Sequence, residues 1–275
     1  MSMDVIGTKL TVPWQRAAIV SRTRLLRRLD RALETPAAVV CAPAGYGKTT
    51  LMADWLGRVA ADWPAAWLSI DADDREETGF LRCLVAAIRR THASIGQSLE
   101  QWLEGSHAPP LKRALSMLLD ELADKDLPLV LVLDDYHLLR NPSIDAALSH
   151  MVEHMPRRVR LVVLGRDTGE LPLANWRARG LVGEIRQEDL QFSFEESLCF
   201  FQTSLGLSLT EDEVRDIGAS TEGWVAALQM AGLSLQPVRR LEERRERIRA
   251  FGGRHRYVMD YLAAEVLPGL PGETR

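Results

Sequence analysis

Two glycines flanking a tyrosine, followed at once by a lysine and two threonines, give residues 41–50 (C-A-P-A-G-Y-G-K-T-T) the makings of an anion cradle. The spacing matches the phosphate-loop pattern G-x-x-x-x-G-K-[ST], except that Ala42 stands where the first glycine is usual. Each part has a physical task. Gly45 and Gly47 let the backbone turn its N–H groups inward and come close to phosphate oxygens. Lys48 supplies a positive charge for the β and γ oxygens, and Thr49 a hydroxyl for Mg²⁺. A helix starting at Thr49 would aim its positive dipole end at the anion. The predicted contacts of bound ATP or ADP are therefore Ala44, Gly45, Tyr46, Gly47, Lys48, Thr49 and Thr50.

Two further segments carry chemistry that fits the first. Residues 129–136 read L-V-L-V-L-D-D-Y, an apolar strand ending in paired carboxylates. This is the Walker B arrangement. Asp134 would hold Mg²⁺ together with Thr49, and Asp135 would orient or activate the attacking water. Another apolar run ends in Gly165-Arg166-Asp167. An arginine at the carboxyl end of a neighbouring parallel strand lies where ligands collect in such sheets, so Arg166 is a candidate sensor that tells ATP from ADP.

The elements that must position these residues are legible as apolar runs bounded by turn residues. Strands are predicted at residues 37–42, 65–70, 129–133 and 160–164, with a weaker fifth at 184–186. Near-continuous Val/Leu runs suit strands buried on both faces of a parallel sheet. Helical repeats fall between them, at 49–61, 78–91, 111–123 and 143–154. The alternation implies right-handed crossovers and a doubly wound α/β domain, expected to span residues 1–190. Helices alone follow: 193–205, opened by Ser193 with Glu195 and Glu196, then 210–219 and 223–235. These form a predicted helical domain, 191–237, closed by Pro237. Residues 238–275 are expected to hold a charged linker helix (241–250), a Gly252-Gly253 break and an amphipathic helix at 255–267. That last helix has no later partner to bury against, which predicts a fragment of a longer protein.

Composition narrows the class. Of 275 residues, 46% are hydrophobic and 26% charged, enough for a sizeable core. The net charge of −4 lacks the basic footprint usual for nucleic-acid binding. The basic run 239–249 is interleaved with glutamates and reads as a solvated helix face. Three widely spaced cysteines make neither a disulfide framework nor a zinc pattern, which suits a reducing cytoplasm. The N-terminus lacks a signal-peptide layout, and no apolar run approaches the ~18 residues that span a bilayer. Asp71, Asp73 and Asp74 read as a loop or helix cap, and not as a metal site.

Several motifs together resemble the STAND class of signal-transduction ATPases, and within it the bacterial LuxR-type large regulators of the maltose-regulator kind. They are T-K-L-T-V-P-W-Q-R near the start, A-P-A-G-Y-G-K-T-T, L-V-L-D-D-Y-H, V-V-L-G-R-D, T-E-G-W-V-A-A-L-Q and H-R-Y-V-M-D-Y-L. Their order and spacing agree with the family over nearly the whole chain. The resemblance implies that Ile19-Val20-Ser21-Arg22 cradles adenine, with Val20 on the ring and Arg22 anchoring nearby. It makes Arg166 the first sensor arginine. It aligns Gly223-Trp224-Val225 with a G-x-P element whose proline packs on adenine, a place Val225 takes here, with Trp224 expected in the core. It also implies that residues 254–267 begin a winged-helix domain, that His255 lies too early to be the histidine closing over the β-phosphate, and that DNA reading belongs to a C-terminal module outside this chain.

The function implied is a cytoplasmic nucleotide switch within a transcription activator: ADP holds the parent closed and monomeric, inducer and ATP open it to self-association, and slow hydrolysis resets it. Discrimination must come from contacts made only with the γ-phosphate, since equal affinity shifts nothing. Two other readings remain: a turnover ATPase of the AAA or helicase type, with Arg177 or Arg179 as fingers, and a nucleotide-free scaffold. The intact Lys48, Thr49, Asp134 and Asp135 argue against the scaffold.

Overall fold

The five apolar runs become strands, and the computed structural model describes residues 6–13, 19–104, 109–238 and 240–250. The strands are β1 (Ala37–Cys41), β2 (Ala65–Ser69), β3 (Leu129–Asp134), β4 (Val159–Gly165) and β5 (Val182–Arg186). They pair in parallel in the order β2-β3-β4-β1-β5. Helices follow as α1 (Thr23–Ala32), α2 (Lys48–Val59), α3 (Glu77–Thr91), α4 (Gln97–Glu104), α5 (Leu111–Asp124), α6 (Pro142–Glu153), α7 (Leu173–Ala178), α8 (Gln187–Leu190), α9 (Phe194–Cys199), α10 (Glu211–Thr221), α11 (Val225–Leu235) and α12 (Leu241–Ala250).

The described residues fall into two compact units. One holds residues 6–13, Arg24–Cys41 and Thr49–Arg186; the other holds residues 19–23, the loop Ala42–Lys48 and the chain from Gln187 onward. In the first unit the pleat sorts each strand's side chains onto two faces. Ala37, Val39, Ala66, Leu68, Leu129, Leu131, Leu133, Leu161 and Val163 share one core with residues of α3, α5 and α6. The alternate set, including Ala38, Val40, Trp67, Val130, Val132 and Val162, is buried too. Burial on both faces is why β3 could be written as an unbroken apolar run. On α1 and α2, the Trp55 indole donates to Asp30 at 2.9 Å. After β2, Asp71 and Asp74 form a reciprocal capping box on the short helix Ala72–Arg75, and Lys9 pairs with both at 2.9 and 2.6 Å. That is the cap expected of these carboxylates.

The second unit is helical. Ser193 caps α9 and Thr210 caps α10, each in a reciprocal box with a glutamate three residues on. The helix expected over 193–205 is α9 continued by a π turn at Phe200–Ser204. The helix expected from 223 begins instead at Val225. Gly223 has φ +69° and Trp224 is extended, both non-helical. A Cβ on Gly223 would lie 2.6 Å from the Phe192 carbonyl oxygen, so only glycine fits that turn. The core here gathers Val20, Phe200, Phe201, Leu209, Val214, Ile217, Leu228, Ala231, Leu235 and Ile248. The helix and winged-helix start expected at 254–267 lie outside the described residues.

Candidate nucleotide site

The carboxyl ends of β1, β4 and β3 are neighbours in the sheet, and each predicted catalytic segment leaves from one of them. β3 ends at Asp134, which is 4% exposed. The Thr49 hydroxyl donates to its Oδ2 at 2.9 Å, across 85 residues of sequence. Its Oδ1 accepts the Asp135 main-chain N–H at 3.0 Å. A carboxylate and a hydroxyl side by side are hard oxygen donors, the set that Mg²⁺ takes, so the residues present fit that ion. Asp135 itself stands in the left-handed region (φ 56°), with its side chain 52% exposed and 4.0 Å from the His137 ring. Asp134 is buried while Asp135, the next residue, faces solvent.

β4 ends at Gly165 and the chain bends at Arg166 and Asp167. Arg166 is half-buried, and its carbonyl accepts the Cys41 thiol at 3.4 Å, which ties the start of that loop to the end of β1. The loop itself is held by Gly169 N–H on the Asp167 carboxylate at 3.1 Å.

The phosphate loop lies within the second unit, and its contacts there were not foreseen. Gly45 and Gly47 have φ +79° and +77°, the conformation only glycine adopts without strain. The Lys48 ammonium, 8% exposed, donates to the Ala42 and Pro43 carbonyls at 2.7 and 3.0 Å. The Trp224 indole N–H donates to the Ala44 carbonyl at 3.1 Å. The Ala226 main-chain N–H donates to the Gly45 carbonyl at 3.0 Å. Tyr46 lies with its ring centroid 6.3 Å from Trp224 and accepts a hydrogen bond from Gln187 at 2.9 Å. Burial raises the Tyr46 pKa and the Glu222 carboxylate adds to this, against the Gln187 bond. Thr50 is exposed in the first turn of α2.

The residues expected to meet adenine also fall in the second unit. Val20 is 7% exposed and packs among Phe200, Phe201 and Leu209. Arg22 is 5% exposed. Its guanidinium pairs with Glu196 at 3.2 Å, donates to the Gln191 carbonyl at 2.9 Å and lies 4.6 Å from the centre of the Phe192 ring. Val225 is half-buried at the first position of α11. Trp224, expected in the core, is half-buried, packs against this core and donates its N–H to the loop. No local pattern could reveal that bond, because its partners are 180 residues apart.

Among the described residues no three or more His, Cys, Asp or Glu gather as a metal site, and no helix is long and apolar enough to cross a membrane. Comparison with known proteins adds the following. A family model described as an AAA ATPase domain matches residues 18–164, just over half of the chain. The HTH-type transcriptional regulator MalT of Klebsiella pneumoniae is 33% identical over 271 residues, covering 98% of this chain and 30% of that protein. The chain thus spans under a third of the length of that relative. Among solved structures, the STAND protein with a tetratricopeptide repeat sensor from Pyrococcus horikoshii aligns with a TM-score of 0.57 at 15% identity, covering 86% of this chain and 33% of that one. The Walker-type ATPase of Pyrococcus abyssi aligns with a TM-score of 0.57 at 14% identity, covering 84% of this chain and 71% of that one. At such identities the structural matches speak for the fold.

Proposed function

This chain belongs to the AAA ATPase domain family, and from that premise we propose that it is the ATP- or ADP-binding switch module of a bacterial LuxR-type transcriptional regulator resembling the maltose regulator. One observation carries the proposal above all. Thr49 and Asp134, nominated as Mg²⁺ ligands from separate motifs, are joined by a 2.9 Å hydrogen bond. Thr49 and Asp134 would hold Mg²⁺ there, and the ion would supply charge neutralisation for the phosphates.

The other roles follow from the chain's own groups. Lys48 has its ammonium among loop carbonyls and would exchange those neutral acceptors for charged phosphate oxygens, a stronger kind of hydrogen bond. The N–H groups of residues 44–50 would bind phosphate oxygens. Asp135, exposed beside a buried Asp134, would orient the attacking water. Arg166 would sense the γ-phosphate from the end of β4. Val20, Arg22 and Val225 would frame the base. Hydrolysis would be slow and would reset the switch. Self-association in the ATP state would run through the nucleotide domains of the longer parent, and DNA contact through a C-terminal part that this chain does not match, in a soluble cytoplasmic protein without a membrane partner.

Two assays together test the switch. Steady-state hydrolysis with Mg²⁺ should run well below ~1 s⁻¹, the low edge of ordinary enzymes. Arg166→Ala should narrow the ratio of ATP to ADP affinity. Multiple turnover above that rate would replace the switch by a turnover ATPase, and an unchanged ratio would remove Arg166 as the sensor.

A further inference from the structure

We propose that Trp224 is a positioning residue for the phosphate loop: with the Ala226 N–H it fastens two loop carbonyls and so fixes the direction of two phosphate-binding N–H groups. The inference rests on the nucleotide reading above and deepens it. Its warrant is the planar peptide. No cis peptide occurs among the described residues, and in a trans unit the C=O of one residue and the N–H of the next point in opposite directions. The Ala44 carbonyl, held by the indole at 3.1 Å, therefore sets the Gly45 N–H. The Gly45 carbonyl, held by Ala226 at 3.0 Å, sets the Tyr46 N–H. Left alone, Gly45 at φ +79° would be a mobile point of the loop, because glycine loses more conformational freedom on ordering than any other residue.

The arrangement serves both partners. The first N–H groups of a helix have no acceptor within the helix. No side chain caps α11, whose N-cap is Trp224 itself. The Gly45 carbonyl provides the missing acceptor for Ala226. Gly223 is what permits this. Its positive φ delivers the chain to Trp224 in an extended conformation, so that indole and helix start both reach the loop. Tyr46 completes the contact through its ring on Trp224 and its hydroxyl on Gln187. The tryptophan thus acts through the loop backbone.

The test compares ligands that differ in what the loop must hold. ADP offers a β-phosphate to the loop and AMP does not. Affinities of both are measured calorimetrically with Mg²⁺ for the wild type, Lys48→Ala, Trp224→Phe and Ala226→Pro. Phenylalanine keeps an aromatic ring beside Tyr46 and removes the N–H donor together with the indole's second ring. Proline in the first turn of α11 is compatible with the helix and removes the other donor. Each substitution should weaken ADP about 3- to 10-fold, the worth of one net hydrogen bond, and change AMP less than about 2-fold. Unchanged ADP affinity in both variants would overturn the proposal. So would a parallel loss for ADP and AMP accompanied by a lower melting temperature, which is what a merely structural tryptophan gives. Should Trp224→Phe fail to fold, Ala226→Pro decides by the same criterion. Failure of the underlying nucleotide reading looks different: wild-type protein that does not bind ADP, or Lys48→Ala that binds as well as wild type, removes both.

Discussion

Replacing Arg22 with methionine would remove a buried guanidinium while nearly keeping its volume, and the cost can be worked from its contacts. Arg22 and Glu196 have side chains 6% and 11% exposed and meet at 3.2 Å. The same guanidinium serves the Gln191 carbonyl at 2.9 Å and lies 4.6 Å from the centre of the Phe192 ring. Deleting one partner of a buried pair strands the other charge, which typically costs about 3–5 kcal/mol. Glu196 keeps compensation from the Ser193 N–H at 3.1 Å, so the low end of that range, about 3 kcal/mol, applies here. With a urea dependence of about 2 kcal/mol per molar, the midpoint for the helical unit should fall by roughly 1.5 M. A double-mutant cycle with Glu196→Gln should return a coupling of about 1.5–3 kcal/mol. Arg22→Lys should recover only part of the loss, because a single ammonium cannot serve the carboxylate and the carbonyl with a fixed fork. A midpoint shift below about 0.5 M, or a coupling near zero, would refute the view that this pair clamps residues 19–23 to the helices.

Three other outcomes are expected. Asp134→Asn keeps an oxygen for the Thr49 hydroxyl but loses the charge, so the gain in ATP affinity from Mg²⁺ should shrink by about 10–100-fold while Mg²⁺-free affinity holds. Equal losses with and without the metal would contradict the assignment. Tyr136 donates to buried Asp145, which also accepts the Glu170 N–H at 2.8 Å. Burial first, and then that carboxylate, push its phenol far above the usual range. Tyr136→Phe should destabilise the sheet unit by about 1–3 kcal/mol in thermal or urea unfolding, and an unchanged midpoint would show that the bond contributes nothing. Finally, the Arg177 hydrogen bond, opposed by burial and joined by Arg186, holds the Glu184 carboxyl below its usual value. A depressed carboxylate contributes stability above the unfolded value near ~4.3 and loses it as pH falls through the folded one. Glu184→Gln should therefore flatten the acid limb of stability below about pH 4.3 and leave the slope near pH 7 unchanged. An acid limb as steep as the wild type's would rule Glu184 out.

How much of this was legible in the sequence depends on where each residue's partners lie. β3 was readable to within one residue because burial on both faces demands an uninterrupted apolar run. β5 was faint for the opposite reason. It pairs only with β1, at the sheet edge, and is mostly half-buried, so Glu184 can sit in its middle. The phosphate loop and the two aspartates were legible because their chemistry dictates residue type at fixed local spacing. Helices α4 and α7, 8 and 6 residues long, were not singled out, being too short to establish a repeat. The start of α11 was placed two residues early because only backbone geometry reveals that Gly223 and Trp224 are non-helical. The fastening of the loop by Trp224 was invisible. It joins a side-chain donor to a main-chain carbonyl, and a carbonyl leaves no mark on residue identity.

Calorimetric titration of ADP and ATP with Mg²⁺ into the wild-type chain and into Lys48→Ala tests the central claim most directly. Lys48 supplies charge-assisted bonds worth about 1.5–3 kcal/mol each, so the account predicts binding to the wild type and a loss of about 10- to 100-fold or more in the variant. Equal affinity in the two proteins, or no binding to the wild type, would contradict it.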